Sequence, residues 1–176
     1  DEIKPWDFAY YSEKLKEQKY SFNSEELRPY FKLENVIEGV FEHAQRLYGL
    51  TFKASTEYPT YHPDVKTFEV SDQDGYVGLF YMDFFPRETK KGGAWMTSFR
   101  EQGLWGSSVK RPHVSIVCNF TKPTATKPSL LDYNEVTTLF HEFGHALHGL
   151  LSKCKYKSLA GTNVYWDFVE LPSQIM

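Results

Sequence analysis

Thr138-Leu139-Phe140-His141-Glu142-Phe143-Gly144-His145-Ala146-Leu147-His148 holds the pattern H-E-x-x-H inside a run that reads as helix. At about 100° per residue, His141 and His145 stand about 40° apart on one helix face, with Glu142 on the same side. Imidazoles one turn apart can both reach a zinc ion at ~2.0–2.1 Å while the carboxylate between them faces the ion's open side. That is the geometry of metal-assisted hydrolysis. With six histidines in 176 residues, chance produces such a motif with odds on the order of one in a hundred.

The flanking residues bound the helix. Asp132 and Glu135 form a D-x-x-E capping signal just after Lys127-Pro128-Ser129, and Leu139, Phe140, Phe143, Leu147 and Leu150 supply an apolar stripe. Lys153, Lys155 and Lys157 suit a C-terminus. The reading is a metal helix over 132–152.

Zinc needs a third protein ligand. Downstream, Thr162 or Asn163 can cap a second helix over 162–176, and 24 residues separate Glu170 of that helix from His145. Two helices joined by a loop can pack antiparallel, so a glutamate ligand from the second fits. Pro172 disturbs that helix beside the ligand, since it cannot donate to the carbonyl of Phe168. A continuation as H-x-x-G-x-x-H fails, because His148 and Leu151 occupy the required glycine and histidine positions. His148 remains an alternative ligand, but pairing it with His145 displaces His141 and misplaces Glu142; a supporting or packing role suits it better. Asp167 is a candidate acceptor for a ligand histidine, against the alternative of a surface carboxylate.

At these residues the chain resembles the thimet oligopeptidase family of zinc peptidases, whose signature joins an F-H-E-F-G-H helix to a G-T-x-x-x-x-D-F-V-E-x-P-S-Q helix. The resemblance extends through Tyr10-Tyr11, Tyr81-Met82-Asp83 with Pro86-Arg87, and Asn119-Phe120-Thr121-Lys122-Pro123. Gly92-Gly93-Ala94-Trp95-Met96 looks most like the bacterial peptidyl-dipeptidases. The resemblance implies one zinc ion on His141, His145 and Glu170, Glu142 as general base, and release of dipeptides from the C-termini of oligopeptides. It also implies a longer, mostly helical protein divided by a channel. Residues 1–176 are then expected to be part of one catalytic domain, cut at both ends. The family's oxyanion-stabilising tyrosine and histidine side chains come from a segment beyond residue 176, so these residues alone are expected to have little activity. A non-catalytic zinc-binding or structural fragment and an oligoendopeptidase of the same family are the alternatives.

Composition agrees with a globular unit: 41% hydrophobic and 17% aromatic residues supply a core. A formal charge of −3 gives no reason to expect nucleic acid or an anionic membrane as partner. The start lacks a basic-then-apolar signal pattern, and the expected compartment is the cytoplasm, with the periplasm as alternative. Oligomeric state is left open. Cys118 and Cys154 suggest no disulfide framework.

The remaining elements follow from periodicity. Trp6, Phe8, Tyr10, Tyr11 and Leu15 suit a helix and read as core; Asn23 or Ser24 can cap a short second one. Residues 36–50 form an amphipathic helix with Val36, Val40, Phe41, Ala44, Leu47 and Tyr48 on one side and Gly49 at its stop, leaving His43 in solvent. Strands are expected over 51–54, 66–71 and 76–84, with Asp72-Gln73-Asp74-Gly75 as a hairpin turn, and again over 111–120. The 114–120 strand could bind an extended substrate if it lies at a sheet edge. His62 and His113 read as structural, although His113 could approach the cleft. Residues 85–110 read as a glycine-hinged binding loop, one of whose basic residues Arg87, Lys90, Lys91, Arg100 and Lys110 could meet a substrate carboxylate. Together these make an α+β chain, mainly helical: a zincin-like catalytic portion with the H-E-x-x-H helix, a following glutamate-bearing helix and a small β-sheet.

Overall fold

The structure, a computed structural model, describes residues 3–21 and 23–176. Helix α1 spans Asp7–Tyr20 and α2 spans Leu33–Tyr48, with a 3₁₀ segment over Ser24–Tyr30 between them. The strands are β1 Thr51–Ala54, β2 Lys66–Asp72, β3 Gly75–Asp83, β4 Trp95–Arg100, β5 Gly103–Trp105, β6 Ser108–Lys110 and β7 His113–Val117. Helix α3 covers Tyr133–Leu150, and α4 Trp166–Val169 and α5 Leu171–Ile175 follow. Helices and a small mixed sheet make the chain α+β, as its periodicities suggest.

Five strands form one sheet in the order β1-β2-β3-β7-β4, with β3 and β7 parallel and the other neighbours antiparallel. The β2–β3 hairpin closes on Gln73 and Asp74, with Asp72 paired to Gly75. The Asp74 amide donates to the Asp72 carboxylate there, the local bond that makes aspartate a turn residue. Strand β3 is buried on both faces, as a central strand must be. Phe80 and Met82 join Val114, Ile116, Phe143, Ala146 and Leu150 in the main core, while Leu79 and Tyr81 meet Val65 and Tyr58 on the other side. Helix α2 buries Leu33, Val36, Ile37, Val40 and Ala44 at helical spacing and stops at Gly49, whose φ of 69° only glycine adopts freely. Leu47 and Tyr48, expected on the same side, stay half-exposed.

Four expectations need correction. The 111–120 strand is shorter, and it is internal: β7 lies between β3 and β4, so the sheet's edges among the described residues are β1 and β4. The stretch 85–110 is not one loop, because β4 pairs with β7 and β5 pairs with β6; its glycines hid short strands that gain definition only from tertiary pairing. Three of its five basic residues are engaged elsewhere. The buried Asp83 carboxylate accepts from Arg87 Nη1 and Nη2 at 3.0 and 2.9 Å and from Lys90 Nζ at 2.9 Å, and Arg100 donates to the Arg111 carbonyl at 2.9 Å. A carboxylate so buried must be paired, which claims the two cations nearest in sequence. Finally, Trp6, Phe8, Tyr10, Tyr11 and Leu15 are not core; α1 buries none of its residues. Aromatic content is a poor guide to burial, since much of any folded surface is apolar. Asn23 does cap the 3₁₀ segment, accepting from the Glu25 amide.

Candidate metal centre

Helix α3 starts where its sequence says it should. The Asp132 side chain accepts from the Glu135 amide at 2.8 Å, and the Glu135 carboxylate accepts from the Asp132 amide at 2.9 Å, a complete capping box. From there Leu139, Phe143, Ala146, Leu147 and Leu150 enter the core. Core packing on one flank turns His141, Glu142 and His145 toward β4 and the chain that follows. These three line a cavity of about 330 Å³ with Ala94, Trp95, Met96, Thr162, Val169 and Glu170.

The expected helix over 162–176 is broken. Neither Thr162 nor Asn163 caps it; α4 begins after Tyr165 and lasts one turn, and α5 begins after Glu170 with Pro172 in its first turn. Proline is tolerated there because the first-turn amides lack helical partners, so the break falls where a proline can restart the helix. Glu170 is the junction residue. Its position depends on an unusually close approach of α5 to α3: a Cβ on Gly144 would lie 2.6 Å from the Pro172 carbonyl oxygen and 2.6 Å from Ser173 Cα. Only a glycine in the H-E-F-G-H run leaves room for that backbone.

The approach brings the two arms together. Glu170 Oε2 lies 3.2 Å from His141 Nε2 and 3.1 Å from His145 Nε2, and the three ligand-type atoms fall within 4.8 Å of one another. Donors each ~2.0–2.1 Å from a tetrahedral ion are about 3.3 Å apart, so this group has the size and the N, N, O chemistry for a metal such as zinc. Burial holds the His145 imidazole below its ordinary pKa, partly opposed by Glu170, which favours the neutral form that ligates. The Ser173 hydroxyl, and after it the two histidines, hold the Glu170 carboxyl below its ordinary range against the opposing effect of burial. Glu142 behaves oppositely. Burial, and then the negative charge of Glu170, push its carboxyl up to about 7, and its Oε2 is buried without a hydrogen-bond partner among the described residues. His145 Nδ1 is buried and unpartnered in the same way.

The other sequence candidates sit apart. His148 lines a different cavity, of about 380 Å³, with Leu147, Leu151 and Pro172, and its ring meets Phe168 edge-on at 6.0 Å. Asp167 is exposed on α4 and accepts no bond from a histidine. His113 begins β7, paired with Leu79 and Arg100, and does not line the site cavity. His62 accepts from the Asp64 amide, and His43 is exposed with its ring 6.0 Å from that of Phe140. Cys118 is buried and Cys154 exposed, both free. Ser173 was missed, although its place three residues after Glu170 in E-x-P-S put it on the same helical side. Among the described residues, no helix is long and apolar enough to cross a membrane.

Comparison with known proteins gives this geometry a lineage. The model of peptidase family M3 matches residues 1–176. Dipeptidyl carboxypeptidase of Escherichia coli is 48% identical over 173 residues, covering 97% of this chain and 25% of the relative. The protein of that name from Salmonella typhimurium is 47% identical over 175 residues, 98% of this chain and 25% of the relative. Oligopeptidase A of E. coli is 45% identical over 179 residues, 100% of this chain and 26% of the relative. The chain spans about a quarter of the length of the curated relatives it matches. Matched from its first residue to its last, and at close to half identity to those peptidases, the chain belongs to peptidase family M3.

Proposed function

We propose that this chain carries the zinc-binding and general-base portion of a zincin-like metallopeptidase acting on oligopeptides. The observation that carries the reading is one carboxylate oxygen, Glu170 Oε2, within 3.2 Å of both histidine Nε2 atoms beside the buried Glu142. His141, His145 and Glu170 would hold the zinc, which would supply Lewis acidity toward the scissile carbonyl and the attacking water. Glu142, buried beside that position, would take the proton of that water and return it to the leaving amine.

The sheet supports a reading of where the substrate would lie. Strand β4 is an edge among the described residues, and its first residues Trp95 and Met96, with Ala94 before them, line the cavity beside Glu142. An extended peptide adding to that edge by main-chain hydrogen bonds brings a peptide bond to the site. β4 thus takes the part expected of the 114–120 strand. Of the side chains that could donate to an oxyanion, Tyr156, Tyr165 and His148 do not line the cavity, whereas Trp95 of the stretch 85–110 and Thr162 do.

Release of C-terminal dipeptides is the finer reading, supported by Gly92-Gly93-Ala94-Trp95-Met96 and by the dipeptidyl carboxypeptidase relatives. Endopeptidase action is the second. It is favoured by the engagement of Arg87 and Lys90 with Asp83, which leaves neither free for a substrate carboxylate. Hydrolysis of matched peptides with free and amidated C-termini by the intact protein separates the two. The hydrolase itself is tested by Glu142→Gln, which should lower turnover by ~10²–10⁴ with zinc retained. Turnover within a few-fold of the parent would remove Glu142 from the role of base.

A further inference from the structure

Ser173 sits at the contact between the two arms of the site. Its side chain is buried, and its Oγ lies 2.8 Å from the Glu170 carbonyl oxygen and 2.9 Å from Glu170 Oε2. That same Oε2 faces both histidines. Carbonyl and carboxylate oxygens can only accept, so the hydroxyl is the donor and its one proton lies between the two Glu170 oxygens. The serine backbone is itself fixed, because α5 lies against α3 at Gly144 with no room for a Cβ. A line of contact therefore runs from the histidine helix through Gly144 to Ser173, and from the serine hydroxyl to the oxygen that meets the histidines.

Glu170 has little else to hold it. Its side chain is 46% exposed, and α4, the turn before it, buries no residue. A free glutamate there could offer either oxygen or both to a metal. Each carboxylate oxygen has two lone-pair sites, so Oε2 can accept from Ser173 on one and ligate with the other, and one oxygen of Glu170 is enough for both contacts. A ligand that contributes one oxygen keeps a coordination position open, as hydrolytic sites require.

We infer that Ser173 is a positioning residue that selects Oε2 as the single ligand oxygen of Glu170. The inference rests on the reading of His141, His145 and Glu170 as a zinc site. Serine contributes through the glutamate alone and touches no reacting atom.

The test is Ser173→Ala in the intact protein, with zinc affinity measured by chelator competition and the cobalt-substituted protein examined by visible absorption. Affinity should fall ~10–100-fold, the usual effect of removing a partner of a metal ligand. The cobalt spectrum should change as the carboxylate adds its second oxygen or withdraws. The unfolding midpoint of the metal-free protein should stay near the parent's, since alanine fills nearly the same space. Ser173→Thr, which keeps the hydroxyl, should restore the parent's cobalt spectrum if it is accommodated. Zinc affinity within twofold and an unchanged spectrum in Ser173→Ala would overturn the inference. Glu170→Ala and His145→Ala serve as controls: parent-like affinity in either overturns the zinc site itself, a different result from a silent Ser173→Ala.

Discussion

The two arms of the site are built in opposite ways. The histidine arm is one helix of eighteen residues with a complete capping box and nine buried positions. The glutamate arm is a four-residue helix and a five-residue helix that meet at Glu170, with Ser173 their one buried residue and with Tyr165 and Trp166 almost fully exposed. One arm derives its position from the hydrophobic core. The other takes its position from the packing of α5 on α3, closest at Gly144, and from one hydroxyl. Changes on the glutamate arm should therefore alter metal affinity with little effect on folding, and changes on the histidine arm should do the reverse unless they touch a ligand.

Removing Glu170 is the strongest test of that contrast. Glu170→Ala leaves two histidines, and zinc affinity should fall by more than the ~10–100-fold that accompanies loss of a supporting partner. The metal-free protein should unfold near the parent's midpoint, because the deleted carboxylate is half-exposed. His148→Ala should stay inside the supporting range, as its ring packs on Phe168 away from the ligands. Chelator competition on both variants decides it. A greater loss from His148→Ala than from Glu170→Ala would reverse the assignment.

The same contrast explains what could be read in advance. α3 was legible because capping signal, apolar stripe and length agree at every level, a consistency that marks well-specified elements. The glutamate arm was legible in its residue types and its proline, but not in its break or its missing cap, because those depend on α5 finding Gly144 across the fold. α1 shows the converse failure. Its aromatic content resembles a core helix, yet Trp6, Phe8, Tyr10 and Tyr11 are all exposed, whereas the aliphatic spacing of Leu33, Val36, Ile37, Val40 and Ala44 in α2 marked a true buried face. The edge position of β4 was hidden for another reason: it belongs to a sheet, not to a strand. Residue order alone could not show that β7 pairs on both sides.

The pH dependence of stability offers the next largest effect, and it belongs to the histidine arm. The folded pKa of Glu142, about 7, lies above its ordinary 4.5, so between those values the folded protein binds a proton that the unfolded chain has released. Stability from this group is complete below about 4.5 and is lost as pH rises through about 7, amounting to about 3 kcal/mol. In the metal-free protein, Glu142→Gln should abolish that part of the decline between pH 5 and 8. Urea unfolding of parent and variant at both pH values measures it. Parallel declines would mean that the carboxyl is not held in its neutral form.

A substitution at the seam should couple the arms. Gly144→Ala places a methyl group against the backbone of Pro172 and Ser173, which cannot yield as a side chain can. Overpacking of this kind typically costs ~1–3 kcal/mol, offset in part by the gain of up to ~1 kcal/mol from alanine's helix propensity. The displaced α5 carries Ser173 and Glu170 with it, so zinc affinity should weaken although no ligand is altered. Parent-like affinity would show that the glutamate arm reaches the histidines without this contact.

The smallest effect should come from the far end of the histidine arm. Asp132 caps α3 by accepting from the Glu135 amide, and Glu135 in turn accepts from the amide of Thr121 at 2.7 Å and its hydroxyl at 3.1 Å. Arg28 adds ion pairs to Asp132 at 3.4 Å and to Glu135 at 3.7 Å. Both are partly exposed, so they add little to the cap itself. Asp132→Ala should lower stability by ~1 kcal/mol, within the ~0.5–2 kcal/mol typical of a lost N-cap. Zinc affinity should stay within a few-fold. His141 lies nine residues further on, about 13 Å along the axis, and the core contact of Leu139 stands between the frayed end and the first ligand. Thermal unfolding of the metal-free variant beside a zinc titration gives both numbers. A tenfold loss of affinity from this remote cap would mean that the histidine arm is held from its end rather than by the core, and the contrast between a rigid and a docked arm would fail on its rigid side.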